Sequence, residues 1–161
     1  MHIETYRFGQ LEINEEKLIT FKDGILGLED YNEYALLQFE DSYPIVWLQS
    51  INNGEICLPV LDTFAVSADY VFDIEDDDVQ ELELKGPEEL HVVNVLVIPE
   101  NVENMTVNLA APIIINTIKR KAKQILLSGR EYNIRVPIFQ DICKVMREEG
   151  TADACSVEKA E

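Results

Sequence analysis

HVVNVLVI, residues His91–Ile98, is the stretch whose reading decides the fold. Val93, Val95 and Val97 share one alternating face; Val92, Leu96 and Ile98 are spread about the other, interrupted by Asn94. A strand with one wet face alternates apolar with polar residues, whereas one apolar on both faces is covered on both. The segment therefore reads as a central strand, ended by Pro99. Val95 and Val97 count as core, and truncating either to Ala is expected to cost roughly 1–3 kcal/mol.

Outward from this strand the chain is a succession of short β-prone runs separated by turn residues, the pattern of a sandwich or barrel. Toward the N-terminus lie Glu55–Leu61, Ile45–Ser50, Tyr34–Phe39 and Leu18–Phe21, preceded by a hairpin of His2–Phe8 and Gln10–Ile13 about Gly9. Asn52-Asn53-Gly54 reads as a hairpin turn because Asn and Gly accept positive φ. Toward the C-terminus Met105–Leu109 alternates, Ile113–Ile115 follows Pro112, and Gln124–Leu127 and Ile134–Val136 complete the set across Ser128-Gly129. Helix is scarce. Asp78 with Glu81 resembles a capping box opening a helix over Val79–Leu84, stopped near Gly86-Pro87, and Ile138–Arg147 reads as an amphipathic helix. The expected architecture is mostly β: a single-domain antiparallel β-barrel-like fold over residues 1–146 with one or two short helices. Residues 147–161 form a polar tail expected to be disordered.

At 161 residues and 47% hydrophobic content the chain suits one domain with a single substantial core. No apolar run approaches the ~18 residues of a membrane span, and MHIETYRFGQ lacks a signal-peptide core, so the expected location is the cytoplasm. Cys57, Cys143 and Cys155 are odd in number and widely spaced, which suits reduced thiols better than a disulfide scaffold or zinc site.

Charge is the second informative feature. Between Asp23 and Ile118 stand twenty acids and one base, Lys85, a regional charge of −19 within a total of −18. Such a face repels DNA, RNA and anionic membranes and attracts basic proteins over about 8–10 Å at physiological salt. The run Asp73-Ile74-Glu75-Asp76-Asp77-Asp78 fails as a calcium loop, because Asp78 falls where glycine is needed and Leu84 where a bidentate carboxylate is needed. A docking strip or a solvated acidic face remains, and the regional charge favours docking. Lys119-Arg120-Lys121 with Lys123 is too small and too close to the acids for nucleic acid, and suits the polar face of a hairpin.

Catalytic signals are missing. The chain has no phosphate-cradling loop, no nucleophile elbow and no paired metal-binding histidines, and His91 reads as structural. No enzymatic activity, cofactor or metal is expected. Phe64–Phe72 (FAVSADYVF) carries Tyr70 and Phe72 directly into the acidic strip. Core packing and a partner-binding anchor have equal claims on these two aromatics, and the anchor reading joins Tyr70 and Phe72 with Asp73, Glu75, Asp76, Asp77 and Asp78.

GILGLE (Gly24–Glu29), Trp47-Leu48-Gln49-Ser50, VIPENVENMTVNLAAPIIIN (Val97–Asn116), AKQILL (Ala122–Leu127) and YNIRVPI (Tyr132–Ile138) together resemble the flagellar assembly factor FliW family. The resemblance spans residues 3–138. It implies a small β-barrel-like, non-enzymatic protein with two alternative partners: newly made flagellin, and CsrA, a small basic RNA-binding dimer that represses flagellin translation. Flagellin occupying such a factor frees CsrA, and translation falls. The free chain is expected to be monomeric. Two readings of other classes stand beside this one: an acidic nucleic-acid mimic that plugs a basic cleft, and a small carboxylate-dependent enzyme.

Overall fold

The computed structural model describes residues 1–128 and 132–148. Its strands are β1 (His2–Thr5), β2 (Gly9–Glu12), β3 (Ile19–Phe21), β4 (Glu33–Leu37), β5 (Ile45–Ser50), β6 (Cys57–Asp62), β7 (Leu90–Val97), β8 (Thr106–Val107), β9 (Ile113–Asn116), β10 (Lys121–Gln124) and β11 (Val136–Pro137). The helices are α1 (Thr63–Val66), α2 (Asp76–Glu81) and α3 (Phe139–Glu148). The expected tail lies outside the described residues beyond Glu148, as does the Gly129 half of the expected turn.

Strands β3, β4, β5, β6, β7, β9 and β10 pair in that order, and β10 returns to β3, closing a mostly β barrel. Every ladder is antiparallel except this closing one, where Lys121 meets Thr20 and Ala122 meets Phe21 in parallel. The expected antiparallel β-barrel-like fold is found, with this one parallel ladder sealing it.

The deciding strand changes partner halfway. Leu90–Val93 of β7 pair with β9, while Leu96 and Val97 pair with β8. The alternation then distributes its side chains among three cores. Val93 points into the barrel beside Phe21, Tyr34, Leu48 and Ile113; Leu96 packs under α3 with Val107, Phe139 and Ile142; Val92 packs outside, with Tyr70, Leu82 and Ile114. Each fully buried aliphatic contributes about 1.5–3 kcal/mol against its exposed state. Val97 departs from the expectation: it is 60% exposed at the strand end, beyond the reach of either layer, and does not belong to the core.

At Gly24 and Gly54 the close approach of another stretch of backbone excludes a side chain. Gly24 has φ +71°, and a Cβ there would lie 2.7 Å from the Glu29 Cα, so the GILGLE turn admits no side chain. Gly54 lacks the positive φ expected of it. Its reason is proximity: a Cβ would come within 2.1 Å of the Glu4 carbonyl oxygen, where the β1–β2 hairpin docks and the Tyr6 N–H donates to Gly54 O at 2.9 Å.

The predicted capping box is corrected. Helix α2 begins at Asp76, so Asp78 lies within its first turn, and its carboxylate accepts from Lys123 Nζ at 2.7 Å instead of capping an amide. At the other end Glu83 takes φ +54°, Glu83 N–H donates to Gln80 O and Leu84 N–H to Val79 O, a left-handed helix stop. Asn116, fully buried at the end of β9, donates through Nδ2 to Leu82 O at 2.8 Å and Glu83 O at 3.2 Å. Helix α2 is therefore fastened to the barrel at both ends.

His91 Nε2 lies 3.3 Å from Asp62 Oδ1, and the Tyr43 hydroxyl donates to Asp62 Oδ2 at 2.5 Å. Desolvation pushes the Asp62 carboxyl up, but these two hydrogen bonds and the imidazole charge outweigh it and hold the group below the usual carboxylate range. Cys57 is a free, half-buried thiol, whereas Cys143, expected reduced, is disulfide-bonded. Cys155 lies outside the described residues.

Candidate docking cleft

After α1 the chain runs without regular secondary structure over residues 71–75 into α2, which Glu75 enters in an extended conformation. Beside it runs the continuation of β10, Ile125–Ser128. Two adjoining hollows of about 260 Å³ each open between these segments, lined by Val71, Phe72, Asp73 and Glu75 on one side and Leu126, Leu127 and Ser128 on the other, with Tyr132 at one end.

The seven residues singled out from sequence separate here. Tyr70 is 4% exposed and forms the centre of an aromatic layer, with ring centroids 4.7 Å from Tyr132, 5.1 Å from Phe72 and 6.2 Å from Phe64. Its hydroxyl donates to Leu109 O at 2.5 Å and accepts from Asn94 Nδ2 at 3.3 Å. Of the two readings of this tyrosine, the structure favours core. Phe72 is half-buried and lines the cleft. Asp73 and Glu75 are exposed and form its rim, and Asp76 and Asp77 stand exposed beside them on the first turn of α2. Asp78 faces inward: Lys123 Nζ donates to it and, at 2.6 Å, to Glu81 Oε2, and these two hydrogen bonds hold the lysine well above its usual pKa. Asp78 thus contributes to anchoring α2 and little to the outward charge.

Sequence reasoning missed Val71, 67% exposed, and Leu126, 66% exposed, which put the apolar surface of the cleft in the open. The signal was available in both cases. Alternation around Tyr70 and Phe72 turns Val71 outward once those two are buried, and alternation in AKQILL turns Leu126 away from Ile125 and Leu127. Tyr132 was quoted only for resemblance; its hydroxyl accepts from the Val71 N–H at 3.0 Å and holds the 71–75 segment in place.

The buried phenols give a pH signature. Burial, reinforced by Tyr31, pushes Tyr34 up to about 12; burial, opposed by the Asn94 hydrogen bond and aided by Tyr132, pushes Tyr70 up to about 12. In the unfolded chain both ionise near their ordinary value of 10.0. Above that pH the unfolded state binds fewer protons than the folded one, so stability falls. Denaturation midpoints are expected to be insensitive to these two groups below about pH 10 and to drop between about 10 and 12, with phenolate absorbance appearing as the chain unfolds. Early ionisation of both phenols with the fold intact would contradict their burial.

The cleft offers apolar contact, a carboxylate rim and exposed backbone. Among the described residues no group of three His, Cys, Asp or Glu side chains is placed to hold a metal, and no helix is long and apolar enough to cross a membrane.

Known proteins resemble this chain in both sequence and fold. The family model described as FliW protein matches residues 2–138. The flagellar assembly factor FliW of Alkaliphilus metalliredigens is 35% identical over 149 residues, covering 92% of each chain. That of Thermosipho africanus is 40% identical over 130 residues, covering 80% of this chain and 90% of its own. A crystal structure of the flagellar assembly factor FliW superimposes with a TM-score of 0.80 at 29% identity, covering 86% of this chain and 96% of the other.

Proposed function

The chain belongs to the FliW family, and from that premise we propose that it serves flagellar assembly as a non-enzymatic, partner-switching regulator that binds flagellin and CsrA in alternation. When flagellin is scarce the protein holds CsrA off flagellin messenger RNA; when flagellin accumulates it takes the protein, and the freed CsrA represses translation. The observation that carries the reading is the open cleft that sets exposed apolar side chains, Val71 and Leu126, beside a carboxylate rim. Export-bound flagellin presents apolar faces that must be covered before assembly, and Phe72, Val71, Leu126 and Tyr132 offer cover. A basic RNA-binding protein is drawn by the acids. Once docked, the acidic chain raises the cost of placing RNA phosphates nearby. The free protein is monomeric in this scheme and works in the cytoplasm, where both partners are made.

Titrating the purified protein with CsrA and flagellin, singly and together, tests the scheme. Each should bind alone, and flagellin should release CsrA. Failure of both to bind, or simultaneous binding without mutual effect, would remove it. Competition with RNA adds a distinction: a nucleic-acid mimic must share the RNA site of CsrA, whereas a rim-docked antagonist need not.

The rim gives a kinetic expectation. Neutralising Asp73, Glu75, Asp76 and Asp77 together as Asn, Gln, Asn and Asn should slow CsrA association by about tenfold at low salt and flatten its salt dependence, with less change in dissociation. Stopped-flow measurements across a salt series read this directly. Wild-type rates at every ionic strength would make the rim an ordinary solvated surface.

A further inference from the structure

The chain that continues β10 has one side satisfied and the other open. Ile125 N–H donates to Pro112 O at 2.9 Å and Leu127 N–H to Ala110 O at 2.8 Å, so the backbone N–H groups of these odd-numbered residues face the chain that leads into β9. The intervening Leu126 turns its N–H and carbonyl the opposite way. Within the sheet that side belongs to β3, but β3 follows β10 only at Lys121 and Ala122 before the chain turns off at Gly24. Among the described residues Leu126 has no backbone hydrogen-bond partner. Across the cleft the N–H groups of Phe72, Asp73 and Ile74 are likewise without partners. Two segments with unused backbone groups thus border two adjoining hollows, joined through Asp73, Glu75, Leu127 and Ser128, which line both.

We infer that this edge receives an extended, basic segment of a protein partner as an added strand. Backbone pairing to Leu126 would supply register-independent affinity, the apolar side chains of Val71, Phe72 and Tyr132 would take alternate side chains of the guest, and Asp73 and Glu75 would meet its cations. The charge decides among occupants. A second copy of this chain would bring a second Asp73 and Glu75 against the first in a molecule of net charge −18, and a nucleic acid would bring phosphates. A lysine- or arginine-bearing strand meets the acids with the opposite sign. The same acids guard the unpaired edge of the free protein against self-association, the use native sheets make of edge charges. The inference rests on the reading of the chain as a binder of basic CsrA, and adds to it where and how the contact is made.

Amide hydrogen exchange of the full chain, free and saturated with CsrA, is the test. The Leu126 amide should exchange freely in the free protein and slow by about tenfold or more in the complex. Leu126→Pro removes the donor at an edge position where proline is tolerated, and should weaken CsrA binding by about tenfold with the melting temperature kept; Leu126→Ala, which keeps the N–H, should weaken it by less than about threefold. CsrA binding with Leu126 exchange unchanged would overturn the added strand and leave the proposed function standing. No CsrA binding at all would overturn both. Leu126 protection in the free protein that grows with concentration would assign the edge to a second copy and likewise overturn the inference. Should the proline variant fail to fold, the exchange measurement on the natural sequence decides alone.

Discussion

Tyr70→Ala is expected to lower folding stability by about 3–5 kcal/mol, the range for truncating a buried aromatic. That is a large share of the roughly 5–15 kcal/mol a domain of this kind possesses. The ring is the hub of the Phe64, Phe72 and Tyr132 layer, and its loss leaves a cavity between α1 and the outer face of β7. Its hydroxyl is also the donor to Leu109 O, next to the Asn94 amide that bridges to Asn108 O at 2.9 Å. Tyr70→Phe keeps the ring and loses only the hydroxyl, for about 1–2 kcal/mol. Urea unfolding separates the two, provided the slope is unchanged. A Tyr70→Ala protein as stable as the natural one would place the ring outside the core. For a test of the proposed flagellin binding, Tyr70→Ala would report on the fold, whereas Phe72→Ala, at a half-buried ring on the cleft wall, is the variant that probes contact.

Asn116→Ala is expected to cost about 2–4 kcal/mol, because it strands several buried backbone groups at once. Its Nδ2 serves Leu82 O and Glu83 O, and its Oδ1 accepts from Ile118 N–H at 2.9 Å and Lys119 N–H at 3.0 Å. One side chain thereby stops α2 and shapes the turn between β9 and β10. Asn116→Asp retains the acceptor for Ile118 and Lys119 but turns a carboxylate toward two carbonyl oxygens, so it should be no milder. Hydrogen exchange should show the α2 amides loosening before the barrel amides in either variant. Uniform protection in α2 would mean that Lys123 alone holds the helix down.

The barrel strands were legible wherever burial is periodic along the chain. His91–Ile98 announced a strand covered twice, and Ile113–Ile115 sends Ile114 outward to α2 while Ile113 and Ile115 point in. Helix α3 was legible for the same reason. What could not be read were positions settled by residues remote in sequence. The alternation of Tyr70, Val71 and Phe72 separates two faces without saying which is buried, and the burial of Tyr70 is decided by Tyr132, Asn94 and Leu109. Asp78 looks like a helix cap until Lys123 arrives from β10. Gly54 looks like a turn glycine and is one, but the constraint comes from Glu4. The cleft was half legible: its acids stand in one run, whereas its apolar wall comes from Val71 and from Leu126, which only the folded chain brings together. FliW resemblance identified the family from AKQILL and YNIRVPI without indicating that these stretches border the acidic strip.

The closing ladder has a consequence for the protein's birth. Thr20 and Phe21 leave the ribosome well before their partners Lys121 and Ala122, which belong to the last strand of the barrel. Until those arrive, β3 has β4 on one side and an empty edge on the other, and no N-terminal fragment can be a sealed barrel. Because β10 also carries Lys123 and leads into Leu126, the cleft cannot exist on a nascent chain. Whatever the cleft receives, it can do so only once the last barrel strand is complete.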